Sequence, residues 1–121
     1  MTSVVTEVTR TLERRILTDF MDLLILSIMY NSSSSIGGYD VIRYLHKHFH
    51  FLPSPGTVYS NIYALEREGL IEVKTMRRRR TYTLTEKGRK YFQKILSCKG
   101  HIEKILNNFV FKNGVNFSQQ Q

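Results

Sequence analysis

Apolar residues recur along this chain with two different periods. From about residue 11 the spacing is three and four, through Leu12, Ile16, Phe20, Leu23 and Leu24, while Leu26, Ile28 and Met29 spread the apolar surface around the cylinder. This predicts a helix over about 11–30 whose second half is buried on most sides. Asn31 and the serines at 32–35 end it. Residues 1–10 are polar and β-branched with little periodicity, and read as a flexible N-terminal arm. A second helix is expected over 38–48, with Val41, Ile42, Leu45 and Phe49 inside. Ser54-Pro55 marks a third, with Ser as N-cap and Pro at the first helical position. It should cover 55–68, bury Val58, Ile62 and Leu65, and stop at Gly69, a left-handed cap.

The period then becomes two. Ile71 and Val73 alternate with Glu72 and Lys74, and Tyr82 and Leu84 alternate with Thr81 and Thr83. These are half-buried strands of a hairpin in which Ile71 faces Leu84, Val73 faces Tyr82 and Thr75 faces Arg80. No Gly, Asn or Asp lies at 76–79 to favour a tight primed turn, so an open four-residue tip is expected. Thr85 caps a last helix over 86–111, whose stripe runs through Phe92, Ile95, Ile102, Leu106 and Phe109. The tail, 112–121, is polar. The fold class expected is mainly α with a small β-hairpin. Residues 11–85 have the element order of a winged helix-turn-helix, and 86–111 add a long C-terminal helix. That stripe is too long for so small a domain to cover, so a two-fold partner is expected to bury it, together with Leu12, Ile16 and Phe20 of the first helix.

Charge sharpens this picture. The 121 residues carry a net +8, and all of the excess lies after residue 40. The stretch 74–99 holds ten basic residues against one acidic residue, Glu86. Such density points to a polyanion, nucleic acid before a membrane surface. Cys98 is the one cysteine, which excludes an internal disulfide and suits a reducing compartment. It falls on the dimer-facing side of the last helix and reads as a packing residue. The N-terminus lacks the pattern of a secretory signal, and the apolar run at 20–30 is too short to span a bilayer. The chain therefore reads as soluble and cytoplasmic, with no membrane partner.

Opposite the buried face of the third helix lie Gly56, Ser60, Tyr63 and Arg67, flanked by Thr57, Tyr59 and Ala64, with Ser54 at the cap. Small and polar residues there allow close approach to base edges, and a helix N-terminus favours a phosphate. Arg77, Arg78, Arg79 and Arg80 crowd the hairpin tip, with Lys74 on the ascending strand. Mutually repelling guanidinium groups bring the free protein no evident stability, and arginine suits phosphate contact and narrow minor grooves. The expected partner is double-stranded DNA. His46 and His50 are four apart, but without a second cysteine or a carboxylate cluster nearby they read, with His48, as solvated or phosphate-facing rather than as metal ligands. No nucleophile motif, phosphate loop or paired acids support catalysis, and no metal or cofactor is implied. Asp19 and Asp22 read as polar-face residues or as partners of a helix N-terminal dipole.

Four segments in order resemble the PadR family of transcriptional regulators: Gly38-Tyr39-Asp40-Val41-Ile42, Ser54-Pro55-Gly56-Thr57-Val58-Tyr59, Leu65-Glu66-Arg67-Glu68-Gly69-Leu70-Ile71, and Tyr82-Thr83-Leu84-Thr85-Glu86-Lys87-Gly88. The resemblance covers about residues 20–92. It implies a dimeric repressor of a palindromic operator, with the Ser/Pro/Gly/Thr/Tyr segment on the recognition helix and a dimer built from the first and last helices. It also implies the short subtype, in which a single helix follows the wing. The chain departs from the family pattern in its compact, Arg-rich wing. It also lacks Trp, the residue lining the drug-binding pore of some relatives, so nothing here supports a small-molecule effector. The same basic surface would serve a site-specific DNA adaptor in plasmid partition or chromatin organisation. A winged helix used for protein–protein assembly is the reading from another class, against which the arginine tip argues.

Overall fold

The computed structural model describes residues 2–76 and 78–111. Its elements run α1 (Thr2–Asp19), α2 (Met21–Tyr30), α3 (Gly38–Phe49), α4 (Pro55–Arg67), β1 (Ile71–Met76), β2 (Arg79–Leu84), α5 (Glu86–Ser97), α6 (Lys99–Ile105) and a π-helical segment (Leu106–Phe111). Among the described residues, no helix is long and apolar enough to cross a membrane. The expected tail at 112–121 and Arg77 lie outside the described residues.

The core forms where the three-four stripes of the helices meet the inner face of the hairpin. Met21, Ile25, Leu26 and Met29 of α2 pack with Val41, Ile42 and Leu45 of α3, Val58, Ile62 and Leu65 of α4, and Ile71 and Tyr82 of the strands. Phe92 closes it from α5, its ring 5.1 Å from that of Tyr30. This corrects the expectation that Phe92 belongs to a dimer stripe: it is 6% exposed within the single chain. Ile95 is half-buried against the same core.

Three other expectations change. Residues 2–10 continue α1 as helix and are not an arm. Valine and threonine disfavour helix by only tenths of a kcal/mol each, so an established helix extends through them. Next, the helix expected over 11–30 breaks at Phe20, where φ is −111° and ψ 29°. Backbone bonds cross the break, from Phe20 N to Ile16 O (2.9 Å) and from Leu24 N to Phe20 O (3.0 Å), so the three-four spacing persists through it. The last helix is likewise not single. At Cys98 (φ −94°, ψ 5°) the N–H is shared between Lys94 O and Ile95 O, and α6 restarts beside Gly100, a poor helix former. Cys98 is exposed in the single chain.

The hairpin has the register expected from the alternation: Ile71↔Leu84, Val73↔Tyr82 and Thr75↔Arg80. Pairing continues to Met76↔Arg79, so the ladder closes one step beyond the open four-residue tip expected. Ile36 adds a bridge on the other side of β2, with Ile36 N to Tyr82 O at 3.0 Å and Tyr82 N to Ile36 O at 2.8 Å.

The base of the hairpin is locked by backbone. Leu70 N donates to Leu65 O and Gly69 N to Glu66 O, each at 3.0 Å, the double bond of a Schellman cap, with Gly69 at φ 77°. Thr85 Oγ1 donates to Gly69 O (2.6 Å) and accepts from Gly88 N (3.0 Å), while Thr85 N donates to Leu70 O (3.1 Å). A Cβ on Gly88 would stand 1.9 Å from Leu70 O. A carbonyl cannot turn aside as a side chain does. Gly88→Ala should therefore destabilise the fold at the upper end of the overpacking range, by about 3 kcal/mol. A lowered urea midpoint at unchanged slope is the expected readout. An unchanged midpoint would show that α5 does not rest on Leu70.

Candidate nucleic-acid interface

The start of α4 is built for exposure. Ser54 O accepts from Thr57 N (3.0 Å) and Val58 N (3.2 Å), so the backbone begins the helix, and the Ser54 side chain makes no capping bond. Pro55 follows at the first turn. Val58, Ile62 and Leu65 are buried, which turns Gly56, Ser60, Tyr63 and Arg67 outward as the periodicity requires. Ser60 Oγ donates to Thr57 O (3.0 Å), as does Asn61 Nδ2 (2.8 Å). Thr57 is half-buried beside this face. Tyr59 is also half-buried and lies between α3 and α4. A Cβ at Gly38 would meet its ring at 2.5 Å. Gly38 thus makes room for a tyrosine that spaces the two helices, and Tyr59 stacks toward Tyr63 at 6.1 Å between centroids.

The wing stands next to this face. Arg78, Arg79 and Arg80 are exposed, and Lys74 lies 3.7 Å from Glu72. Between wing, α3 start and α4 is a cleft of about 290 Å³ lined by Gly37, Gly38, Tyr39, Tyr59, Tyr63, Arg78, Arg79, Arg80 and Tyr82. The structure therefore brings Tyr59 and Tyr63 together with the wing arginines. Ser54, Gly56, Thr57, Ser60 and Arg67 are not among the lining residues.

Arg79 and Arg80 are not left to repel one another, contrary to expectation. Arg79 Nη2 is 2.8 Å from Asp40 Oδ2. Arg80 Nε donates to the Tyr82 hydroxyl (3.3 Å), and its guanidinium lies 3.9 Å from Glu66 of α4. Asp40 also accepts from Gly37 N (2.7 Å) and from Arg43. Arg43 in turn lies over the exposed Tyr39 ring, 5.2 Å from its centroid. Tyr39, Asp40 and Arg43 are site residues that the sequence reading missed. Their signal was an acid at the third position of a helix that packs beside a basic hairpin, and a Tyr/Arg pair four residues apart.

Elsewhere, the expected dimer residues Leu12 and Ile16 of α1 and Phe20 at the break after it are exposed, as are Ile102 of α6 and Leu106 and Phe109 of the π-helical segment. His46, His48 and His50 are exposed at the end of α3, with His48 stacked 4.3 Å from Tyr44. Among the described residues, no group of three His, Cys, Asp or Glu could hold a metal ion.

Asp40 also links the site to pH. Partial burial disfavours its charged form. The Gly37 N–H, the Arg43 hydrogen bond and the charges of Arg79 and Arg43 outweigh that and hold its pKa below the ordinary value. A depressed native pKa contributes stability that is complete above the unfolded value, about 3.9, and is lost as pH falls through the native one. Asp40→Asn should therefore flatten the loss of stability below about pH 4. Acid titration of the unfolding midpoint, parent against variant, reads this. Identical curves would mean that Asp40 titrates as it does in the unfolded chain.

Comparison with known proteins accords with this geometry. The profile of the Transcriptional regulator PadR-like family matches residues 25–94. The fold is similar to that of a PadR family transcription regulator from hypervirulent Clostridium difficile R20291, at 24% identity and a TM-score of 0.65, covering 75% of this chain and 98% of that one. It is similar to a PadR-like transcriptional regulator of Bacillus cereus strain ATCC 14579, at 24% identity and a TM-score of 0.66, covering 80% and 97%. A third likeness is to Bacillus subtilis PadR in complex with operator DNA, at 21% identity and a TM-score of 0.56, covering 64% and 45%. No match was found among the curated proteins.

Proposed function

The chain belongs to the PadR-like family of transcriptional regulators, and we propose that it is a homodimeric, sequence-specific repressor that binds a palindromic operator in cytoplasmic DNA. The observation that carries this reading is that Tyr59 and Tyr63 of α4 and the wing arginines line one cleft, beside the outward-facing residues of α4. In this reading α4 enters the major groove, where Ser60, Tyr63 and Arg67 meet base edges, with Gly56 and Thr57 at the close-approach end and Ser54 near a phosphate. Lys74 and Arg77 to Arg80 contact backbone phosphates or the flanking minor groove. The likeness to Bacillus subtilis PadR in complex with operator DNA supports DNA as the partner.

Selection from a random duplex pool is the direct test. A two-fold repeated sequence should emerge, with half-sites about 10 base pairs apart. Absence of any enriched sequence would sink the proposal. On the selected duplex, Arg78→Ala should weaken binding and lower the slope of log affinity against log salt by up to about 0.9, the value for one phosphate contact. A loss confined to one base position would instead make Arg78 a base reader.

The dimer in this proposal uses the exposed apolar residues of α1 (Leu12 and Ile16), Phe20 at the break after it, and the C-terminal segments (Ile102, Leu106 and Phe109). Burying them contributes about 25 cal/mol per Å², and a charge placed there adds the desolvation of an ion. Ile102→Glu with Leu106→Glu should give a folded monomer or insoluble protein, and operator affinity should fall by orders of magnitude because half the phosphate contacts are lost. Sedimentation decides. A double variant that remains a dimer would move the interface to α1 alone.

A further inference from the structure

Resting on the reading as a DNA-binding regulator, we infer that Asp40 is a positioning residue for DNA contact, holding the Arg79 guanidinium at the mouth of the cleft between α4 and the wing. The carboxylate is itself fixed. Its Oδ2 accepts from Gly37 N at 2.7 Å and from Arg79 Nη2 at 2.8 Å, and its Oδ1 accepts from Arg43. It is also the shielded member of the group. The Asp40 side chain is 21% exposed, against 61% for Arg79 and 63% for Arg43. An approaching phosphate therefore meets two guanidinium groups with the acid behind them. Two cations against one anion leave the group positive, and a guanidinium has five N–H donors, of which Asp40 takes one from Arg79, on Nη2.

The anchor and the strand that carries Arg79 are one body. Ile36 and Tyr82 exchange both backbone bonds, at 3.0 and 2.8 Å, and a Cβ at Gly37 would stand 3.2 Å from Arg80 O. Tethering Arg79 to Asp40 thus ties it to the frame of α3 and α4 rather than to a free hairpin tip. A loose arginine loses its rotamer freedom on binding DNA, and a tethered one has already lost it on folding. Arg78, adjacent and exposed, lines the same cleft without contact to Asp40 among the described residues, which makes it an internal control.

The experiment is a mutant cycle on the full chain with the duplex it selects. Asp40→Asn, which keeps the acceptor for Gly37 but not the charge, should weaken binding about three- to tenfold. Added to Arg79→Gln, the same change should weaken it less than about twofold; added to Arg78→Gln, it should show its full effect. Thermal unfolding of each variant runs alongside. In the free parent, NMR relaxation should find the Arg79 Nε–H ordered, and Asp40→Asn should release it. Tighter binding by Asp40→Asn would overturn the inference by showing a counter-ion that competes with phosphate. An equal loss in all three backgrounds would also overturn it, as would an Arg79 side chain as mobile as that of Arg78 in the parent. A parent that selects no duplex removes the proposed function itself. A parent that binds without Asp40–Arg79 coupling removes only this inference.

Discussion

The contact of Gly88 with the Leu70 carbonyl is the constraint on which the rest of the wing depends. Within it one threonine hydroxyl works in both directions, donating to Gly69 O and accepting from Gly88 N. The end of α4, both strand bases and the start of α5 meet there. Pairing therefore begins at Ile71↔Leu84, and every later pair follows with period two. That is why Tyr82, 1% exposed, points into the core, and why Arg79 and Arg80 lie beside α3 and α4. A slip of one residue would bring Thr83 inward and turn the tyrosine out. The position of the charged tip relative to α4 is thus decided by uncharged backbone at the far end of the hairpin.

The partners of the arginines act within this frame. Asp40–Arg79 and Arg80–Glu66 join exposed guanidinium groups to acids on two different helices. Exposed ion pairs contribute at most about 1 kcal/mol each, so their main effect is on where the side chains stand. A wing with no acids near it would present the same charge in many geometries. A wing whose charges were buried in strong pairs would have little left for a polyanion. Weak pairs with one shielded acid lie between these extremes, and they suit a surface that must be ordered before contact yet remain attractive to phosphate.

What the sequence reveals, and what it hides, follows from the range of each interaction. The strand register and the buried faces of α3 and α4 are set by periodicity and local caps, and Val58, Ile62, Leu65, Ile71 and Val73 stood where the pattern placed them. The breaks at Phe20 and Cys98 were not legible, because backbone bonds and three-four spacing cross both. The Ile36 bridge is a single residue long and has no alternation to display. Phe92 lies on a stripe that serves two purposes: its spacing is the same whether it meets Tyr30 of its own chain or a second copy, and only the fold decides. The Asp40–Arg79 pair spans 39 residues. A run of arginines therefore reads as unpartnered until α3 and the wing are brought together.

The segments outside the winged helix raise the remaining physical question. Its core is built by α2 to α5, and among the described residues α1 adds only Leu17 to it. Leu12 and Ile16 on α1, Phe20 just after it, and Ile102, Ile105, Leu106 and Phe109 beyond α5, stay exposed. A helix as short as α6, Lys99–Ile105, has too few turns to be stable in water alone, since isolated helices under about 12–15 residues are marginal. Tertiary packing would add to its stability, and among the described residues these faces do not receive it. A second copy related by two-fold symmetry would present the same two apolar faces in return, so one self-complementary surface could order both ends of both chains. Such an interface would also fix the distance between the two α4 helices. The stability of the terminal helices and the geometry of a palindromic site would then be the same requirement.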